Sequence, residues 1–379
     1  MVPFVSGQIL CYQVLMHLTR RSFFLAPLPL LASPSGARVI SPDPQYYSGW
    51  PTVARRANGE LLLVCSGGRE AHVCPFGRVE LMRSKDDGAT WSWPESLMDS
   101  AIDDRDAGVL ETSRGALLVT TFTSLAYEPY LEKADNWHPE RLARWKAANM
   151  RLTAEQRKSH LGTWMLRSTD GGVNWTAPYR VPLNSPHGPI ALQSGRLLYP
   201  GKALWEPGAR VGVAESTDDG ATWRYLSSIP TRPGDNQDNY HELHGVEAAN
   251  GIIIVQIRNH NAANQGETLQ CESKDGGKTW STPHPIGVWG LPSHLLRLRD
   301  GRLVMSYGYR RKPFGNQARV SADAGKSWSE PITISDDGMA GDLGYPSTVE
   351  LASGELLTVW YELLAGSLRA VLRQRRWKL

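Results

Sequence analysis

Ser216-Thr-Asp-Asp-Gly-Ala-Thr-Trp223 is one of five stretches that decide how this chain folds. The others are Ser84-Lys-Asp-Asp-Gly-Ala-Thr-Trp91, Ser168-Thr-Asp-Gly-Gly-Val-Asn-Trp175, Ser273-Lys-Asp-Gly-Gly-Lys-Thr-Trp280 and Ser321-Ala-Asp-Ala-Gly-Lys-Ser-Trp328. In chain order they begin 84, 48, 57 and 48 residues apart, a spacing that marks a repeat architecture. The pattern is that of a hairpin turn. The Asp accepts hydrogen bonds from the N–H groups of its own turn, and the Gly supplies a positive φ. The Trp is a large anchor against the blade. Asp86, Asp170, Asp218, Asp275 and Asp323 are therefore expected to be structural.

A second repeat counts the units. Residues 50–64, 106–120, 187–200, 244–257, 292–308 and 345–361 each read as a short apolar strand, a tight turn and another apolar strand. Their turn glycines are Gly59, Gly115, Gly195, Gly251, Gly301 and Gly354, at intervals of 56, 80, 56, 50 and 53 residues. Alternating, Gly-punctuated strands at this spacing predict an all-β fold, a six-bladed β-propeller of four-stranded blades. The sixth unit has no box and ends one strand short at residues 368–377. The segment 37–43 can supply the missing strand and so remove free sheet edges. Residues 127–160 are charged and helix-prone, and read as a helical insertion in blade 2 over one face.

The bulk properties agree with a globular chain. Of 379 residues, 21% are charged and 41% hydrophobic, with a net charge of +3. No basic stripe suggests nucleic acid. Residues 1–37 have the layout of an export signal: Arg20 and Arg21 are followed by an apolar run and small residues, resembling a twin-arginine signal that starts at Met16. The apolar run is too short to span a bilayer. The expected location is therefore periplasmic or extracellular, with the propeller over 38–379. Cys65, Cys74 and Cys271 remain beyond that segment and read as buried thiols, with a Cys65–Cys74 bridge the alternative.

The five boxes on six β units resemble the sialidase superfamily over about residues 38–379. The resemblance implies a glycan substrate bound without cofactor or metal. It also implies a carboxylate held by three arginines, a Tyr nucleophile activated by a Glu, and an Asp acid/base. The chemistry is coherent. A carboxylate beside the anomeric carbon repels a carboxylate nucleophile, so a phenol deprotonated by Glu is preferred. Guanidinium forks fit carboxylates bidentately. By this resemblance Glu242 is the activator, Arg258 an arginine of the acid site, and Tyr345, within Gly341-Asp-Leu-Gly-Tyr345, the nucleophile.

Elsewhere the chain departs from the family. The first arginine's place reads Gly49-Trp50-Pro51, which puts Trp50 at the pocket. Counting back from Tyr345 to the third arginine reaches Gln317, with Arg310, Arg311 and Arg319 near it, and Arg311 is the candidate. The loop that should carry the acid offers Arg69, Glu70, His72 and Arg78. Arg69, Arg78 and Arg105 are alternative arginines, and Glu70, His72 and Asp106 alternative acids. His187 and His244 begin inner strands and face the pore as substrate-binding candidates. His241 and Glu242, adjacent on a strand, point to opposite faces and do not form a metal site. The chain has no phosphate loop and no nucleophile elbow. The expected activity is exo-hydrolysis of a terminal acidic sugar, sialic acid first. Two rivals remain: a glycosidase or lyase of uronic-acid or plant glycans, and a propeller that binds glycans without catalysis.

Overall fold

The computed structural model describes residues 36–133, 137–205 and 210–379, so all but the last two residues of the expected export signal lie outside the described residues. The described chain forms six four-stranded antiparallel sheets arranged as the blades of a propeller. From the axis outward, blade 1 holds Tyr47–Arg55, Leu61–Arg69, Arg78–Ser84 and Glu95–Met98. Blade 2 holds Asp103–Glu111, Leu117–Ser124, Thr163–Ser168 and Tyr179–Arg180. Blade 3 holds Ile190–Ala191, Leu197–Lys202, Val211–Ser216 and Arg224–Ser228. Blade 4 holds Tyr240–Glu247, Ile253–Asn259, Glu267–Ser273 and His284–Trp289. Blade 5 holds Ser293–Arg297, Leu303–Tyr309, Phe314–Ser321 and Ile332–Gly338. Blade 6 holds Leu343–Glu350, Leu356–Glu362 and Val371–Trp377, and Arg38–Val39 closes it in register with Gln374 and Arg373.

The six turn glycines join the first and second strands of their blades, with φ between 79° and 92°. The five boxes join third and fourth strands. In the first, the Thr90 N–H and hydroxyl both donate to Asp86, at 2.8 and 2.6 Å, and the Ser84 hydroxyl donates to the same carboxylate at 2.7 Å. These bonds favour the ionised form and lower the Asp86 pKa to about 2. The fourth box position is left-handed in every copy: Asp87, Gly171, Asp219, Gly276 and Ala324. That conformation explains the preference for Gly or Asp there.

The box tryptophans do more than anchor their own blades. Each junction between neighbouring blades holds one apolar cluster, and five of the six clusters contain a box Trp. Trp91 also donates to Gln374 of blade 6 at 2.7 Å, Trp280 to Ser227 of blade 3 at 3.0 Å, and Trp328 to Gln270 of blade 4 at 3.2 Å. The junction of blades 5 and 6 lacks a box, and Trp360, Trp377 and Ala37 fill it instead. Burying a large apolar side chain contributes about 1.5–3 kcal/mol, so the clusters are the main cohesion between blades.

The insertion leaves blade 2 between its second and third strands, as helices Glu128–Glu132, Pro139–Asn149 and Ala154–Ser159. Thr153 and Gln156 cap the last helix reciprocally. Trp145 and Tyr127 bury against Cys74 and Ile102 in a seventh cluster. Cys65 lies instead at the junction of blades 1 and 6, and all three described cysteines are free and buried, so the Cys65–Cys74 bridge is not formed.

Blade 6 is further tied by Arg373, which is 2% exposed and donates to Glu362 at 2.5 Å and to Asp337 of blade 5 at 2.6 Å. Removing one partner of a buried pair leaves an uncompensated charge. Arg373→Ala should therefore lower the unfolding free energy by about 3–5 kcal/mol in urea titrations. Arg302→Ala, a half-exposed residue that pairs with Asp300, should change it by less than about 1 kcal/mol.

Candidate active site

Four inner strands carry the same irregularity at their start. Pairing with the second strand skips two residues, between Gly49 and Thr52, Arg105 and Gly108, His241 and His244, and Gly344 and Ser347. In each bulge one non-glycine residue is left-handed: Trp50 (φ 53°), Asp106 (33°), Glu242 (45°) and Tyr345 (51°). Such a backbone costs on the order of 1–3 kcal/mol per residue and persists only where its surroundings fix it. It re-aims the side chain out of the strict strand alternation, and the four residues gather around one site at the propeller axis.

At the centre, Tyr345 Oη donates to Glu242 Oε1 at 2.6 Å. Arg258, from the adjacent strand, donates to Glu242 Oε2 at 2.5 Å and to Tyr345 Oη at 3.1 Å, and its Nε meets His260 at 2.8 Å. The Arg310 guanidinium stands 5.8 Å from the centre of the Tyr345 ring. Burial pushes the Glu242 carboxyl up, but Arg258, the Tyr345 hydroxyl and Arg310 outweigh it and hold Glu242 below its ordinary value. Burial and then the Glu242 charge push the Tyr345 phenol well above 10. The pair thus rests as phenol and carboxylate, with the base in place to accept the proton.

A second group stands on the blade 1 side. Asp342 accepts from Tyr47 at 3.0 Å and Tyr361 at 2.9 Å, and lies 2.9 Å from His72 Nδ1. His72 Nε2 is 3.3 Å from an Arg105 amine. Arg105 stacks over Trp50 at 4.5 Å. Asp106 is 5% exposed, and its Oδ1 lies 4.0 Å from Arg105 Nε without a hydrogen bond. Burial is the chief cause raising its pKa to about 7, with Glu242 adding to it. Asp106 and Glu242 border a cavity of about 170 Å³ shared with Phe122, Asn184, Lys202 and His241.

Other expected site residues are placed elsewhere. Arg69 is fully buried, and Asp103, Ser66 and the carbonyls of Ala71, His72 and Asp104 take its donors, so it is a strut of blade 1. Glu70 holds the insertion, accepting from Trp145 at 2.8 Å and Arg144 at 2.9 Å, and so is not an acid of the site. Arg78 pairs with Glu80 beside a groove lined by Tyr46 and Trp93. Arg311 stacks on Trp289 at 4.1 Å, and its neighbour Arg310 faces Tyr345 in its stead. Trp50 is 1% exposed and forms the floor, edge-on to Tyr345. His187 and His244 face the axis but are buried beneath the site, with His294 stacked on His244 and His187 edge-on to both. Burial holds all three below the usual histidine range, so they are neutral. They border a channel of about 430 Å³, lined further along by Arg55, Glu111 and Glu350.

Asp342, His260, His294, Tyr47 and Tyr361 escaped the sequence reading. Asp342 alone had a signal, standing three residues before Tyr345. The tyrosines and His294 lie on strands whose polar residues face the axis, which pattern alone does not distinguish from packing.

Comparison with known proteins agrees with the fold. A family model described as a BNR repeat-like domain matches residues 137–358, more than half of the chain. A sialidase of Micromonospora viridifaciens is 26% identical over 204 residues, which cover 45% of this chain and 31% of that protein, so the chain spans about a third of the relative's length. Among solved structures, a protein of unknown function from Dyadobacter fermentans aligns with a TM-score of 0.73 at 24% identity, over 90% of this chain and 98% of its own. The NanB sialidase of Streptococcus pneumoniae aligns with a TM-score of 0.62 at 15% identity, over 88% and 68%. The structural likenesses show the same fold.

The role of Glu70 is checked by proteolysis. Glu70→Ala removes the acceptor shared by Arg144 and Trp145, and leaves the indole N–H buried without a partner. Trypsin should then cut faster between residues 141 and 158 while the blades stay resistant. An unchanged cleavage rate would show that the apolar cluster alone holds the insertion.

Proposed function

We propose that this chain, which belongs to the BNR repeat-like family within the sialidase superfamily, is an exported, exo-acting glycoside hydrolase that removes a terminal acidic sugar, sialic acid, from glycans. The observation that carries the reading is the 2.6 Å contact of Tyr345 with Glu242 under a shared Arg258. A propeller that only binds glycans has no need of a buried phenol–carboxylate pair on two strained residues. Export rests on the paired Arg20 and Arg21 ahead of an apolar run.

Arg258, Arg310 and Arg105 offer guanidinium groups from blades 4, 5 and 2 to the substrate carboxylate. They stand in for a set in which Trp50 has displaced one member. As the Tyr345 oxygen attacks the anomeric carbon, its proton passes to Glu242. The phenol's raised pKa makes this base essential, since no standing phenolate exists near neutral pH. The glycosidic C–O bond breaks in the same step, its electron pair leaving with the aglycone oxygen, and the product on the protein is an aryl glycoside of Tyr345. Water then releases the sugar while Glu242 returns the proton to Tyr345. Glu242 must be ionised for the first step. Its pKa lies below 4.5, so the acid limb of kcat/KM should fall below pH 4.5.

The test is release of 4-methylumbelliferone from its sialic acid glycoside. Wild type should release it, Tyr345→Phe should not, and Glu242→Gln should slow it by at least about 100-fold with the fold intact by circular dichroism. No release by folded wild type, with turnover of an aryl glucuronide instead, would overturn sialic acid as the substrate.

A further inference from the structure

The mechanism above needs a proton for the departing glycosidic oxygen. Three residues compete for that role. Glu70 is bound to the insertion. Asp106 lies on the floor, with a side chain only 6% exposed. An exo-acting site buries the terminal sugar and lets the remainder of the glycan leave outward, so the leaving oxygen is at the mouth. His72 stands there, with its side chain 49% exposed, beside Asp342 at 38%.

Resting on the sialidase-type reading, we propose that His72 is the general acid/base of this site and Asp342 its positioning residue. Tyr47 and Tyr361 fix Asp342 through their hydroxyls, and Asp342 fixes the His72 ring at 2.9 Å through Nδ1. The edge of Trp50 packs against that ring at 4.9 Å. Nε2 is thereby turned toward Arg105, which as a guanidinium can only donate. In the free protein Nε2 therefore accepts from Arg105, and Nδ1–H faces Asp342. When the substrate carboxylate takes the Arg105 fork, Nε2 is freed to bind a proton, and Asp342 stabilises the resulting imidazolium. The charge of the substrate arms the acid. His72 Nε2–H then gives its proton to the glycosidic oxygen, which keeps the electron pair of the breaking C–O bond while Tyr345 forms the new one. In the second half, neutral Nε2 takes a proton from the attacking water, the sugar–Tyr345 bond breaks, and the phenol regains its proton from Glu242.

The groups that face His72 are Asp342 from blade 6, Tyr47 and Trp50 from the first strand of blade 1, and Arg105 from blade 2. The experiment uses two sialosides that differ only in leaving group. 4-Methylumbelliferone departs with little protonation, whereas the lactose of sialyllactose departs only with it. His72→Ala and His72→Gln should lose about 100- to 10,000-fold of kcat on sialyllactose but far less on the aryl glycoside. Both should also lose the basic limb of the sialyllactose pH profile. Asp342→Asn should keep that limb but move it to lower pH, because the imidazolium loses its partner. Equal losses on both substrates from either His72 variant would overturn the proposal, as would the leaving-group effect appearing in Asp106→Asn instead. Failure of wild type to cleave the aryl sialoside would overturn the sialidase reading, and the acid assignment with it.

Discussion

A left-handed residue at the start of an inner strand is the constraint on which the site depends. Regular strands alternate, so neighbouring residues point to opposite faces and successive polar side chains cannot all reach the axis. The two-residue skip in blades 1, 2, 4 and 6 breaks this rule at one level of the propeller. It sets Trp50, Asp106, Glu242 and Tyr345 around one opening. The conformation is unfavourable for each of the four, and most so for bulky Trp50 and Tyr345. Ordinary pairing resumes directly after the skip, at Thr52, Gly108, His244 and Ser347. The apolar clusters at the blade junctions therefore hold the strain in place.

Charge sorts the buried arginines by how completely the protein satisfies them. Arg69 gives its donors to a carboxylate, a hydroxyl and three carbonyls, and nothing is left for a ligand. Arg105 stands 3.3 Å from His72, over the Trp50 ring and 4.0 Å from the carboxylates of Asp103 and Asp106, and its buried Nε makes no hydrogen bond. A buried donor without an acceptor is costly in the free protein, and a carboxylate ligand would relieve that cost. The same reasoning separates Asp103, locked to Arg69, from Asp106, whose Oδ1 makes no hydrogen bond and whose pKa is raised to about 7.

The fold was legible because its signals are local. A box needs only the bonds of its own turn, so Ser84 through Trp91 announces a hairpin whatever surrounds it. Closure of blade 6 by residues after 37 followed from counting strands. Tyr345, Glu242 and Arg258 were legible through the resemblance rather than through periodicity. The misplacements share a physical cause. Arg69 and Glu70 carry the right charge in the right loop, but their partners, Asp103 and the helix bearing Arg144 and Trp145, are 34 residues or more away in sequence. Arg310 and Arg311 are adjacent, and only the path of the chain beyond the second strand of blade 5 decides which faces Tyr345. Asp342 draws its significance from Tyr47, Tyr361 and His72, all distant in sequence.

Blade 6 combines two demands that pull in opposite directions. It carries Tyr345 and Asp342 at its inner end, and it is the blade closed by a strand from the other end of the chain. The closing strand is short, pairing through two residues, and an edge of that kind opens more readily than a continuous sheet. The order of strands separates the demands. Arg38–Val39 is outermost, and two full strands stand between it and Tyr345. Between them Arg373 binds Glu362 and Asp337, and Val53 N–H of blade 1 donates to Ser347 at 3.1 Å, two residues beyond Tyr345. Fraying at the rim therefore has to break a buried ion pair before it reaches the axis. Placing the reactive residues on inner strands makes an otherwise vulnerable closure compatible with a site that requires fixed geometry.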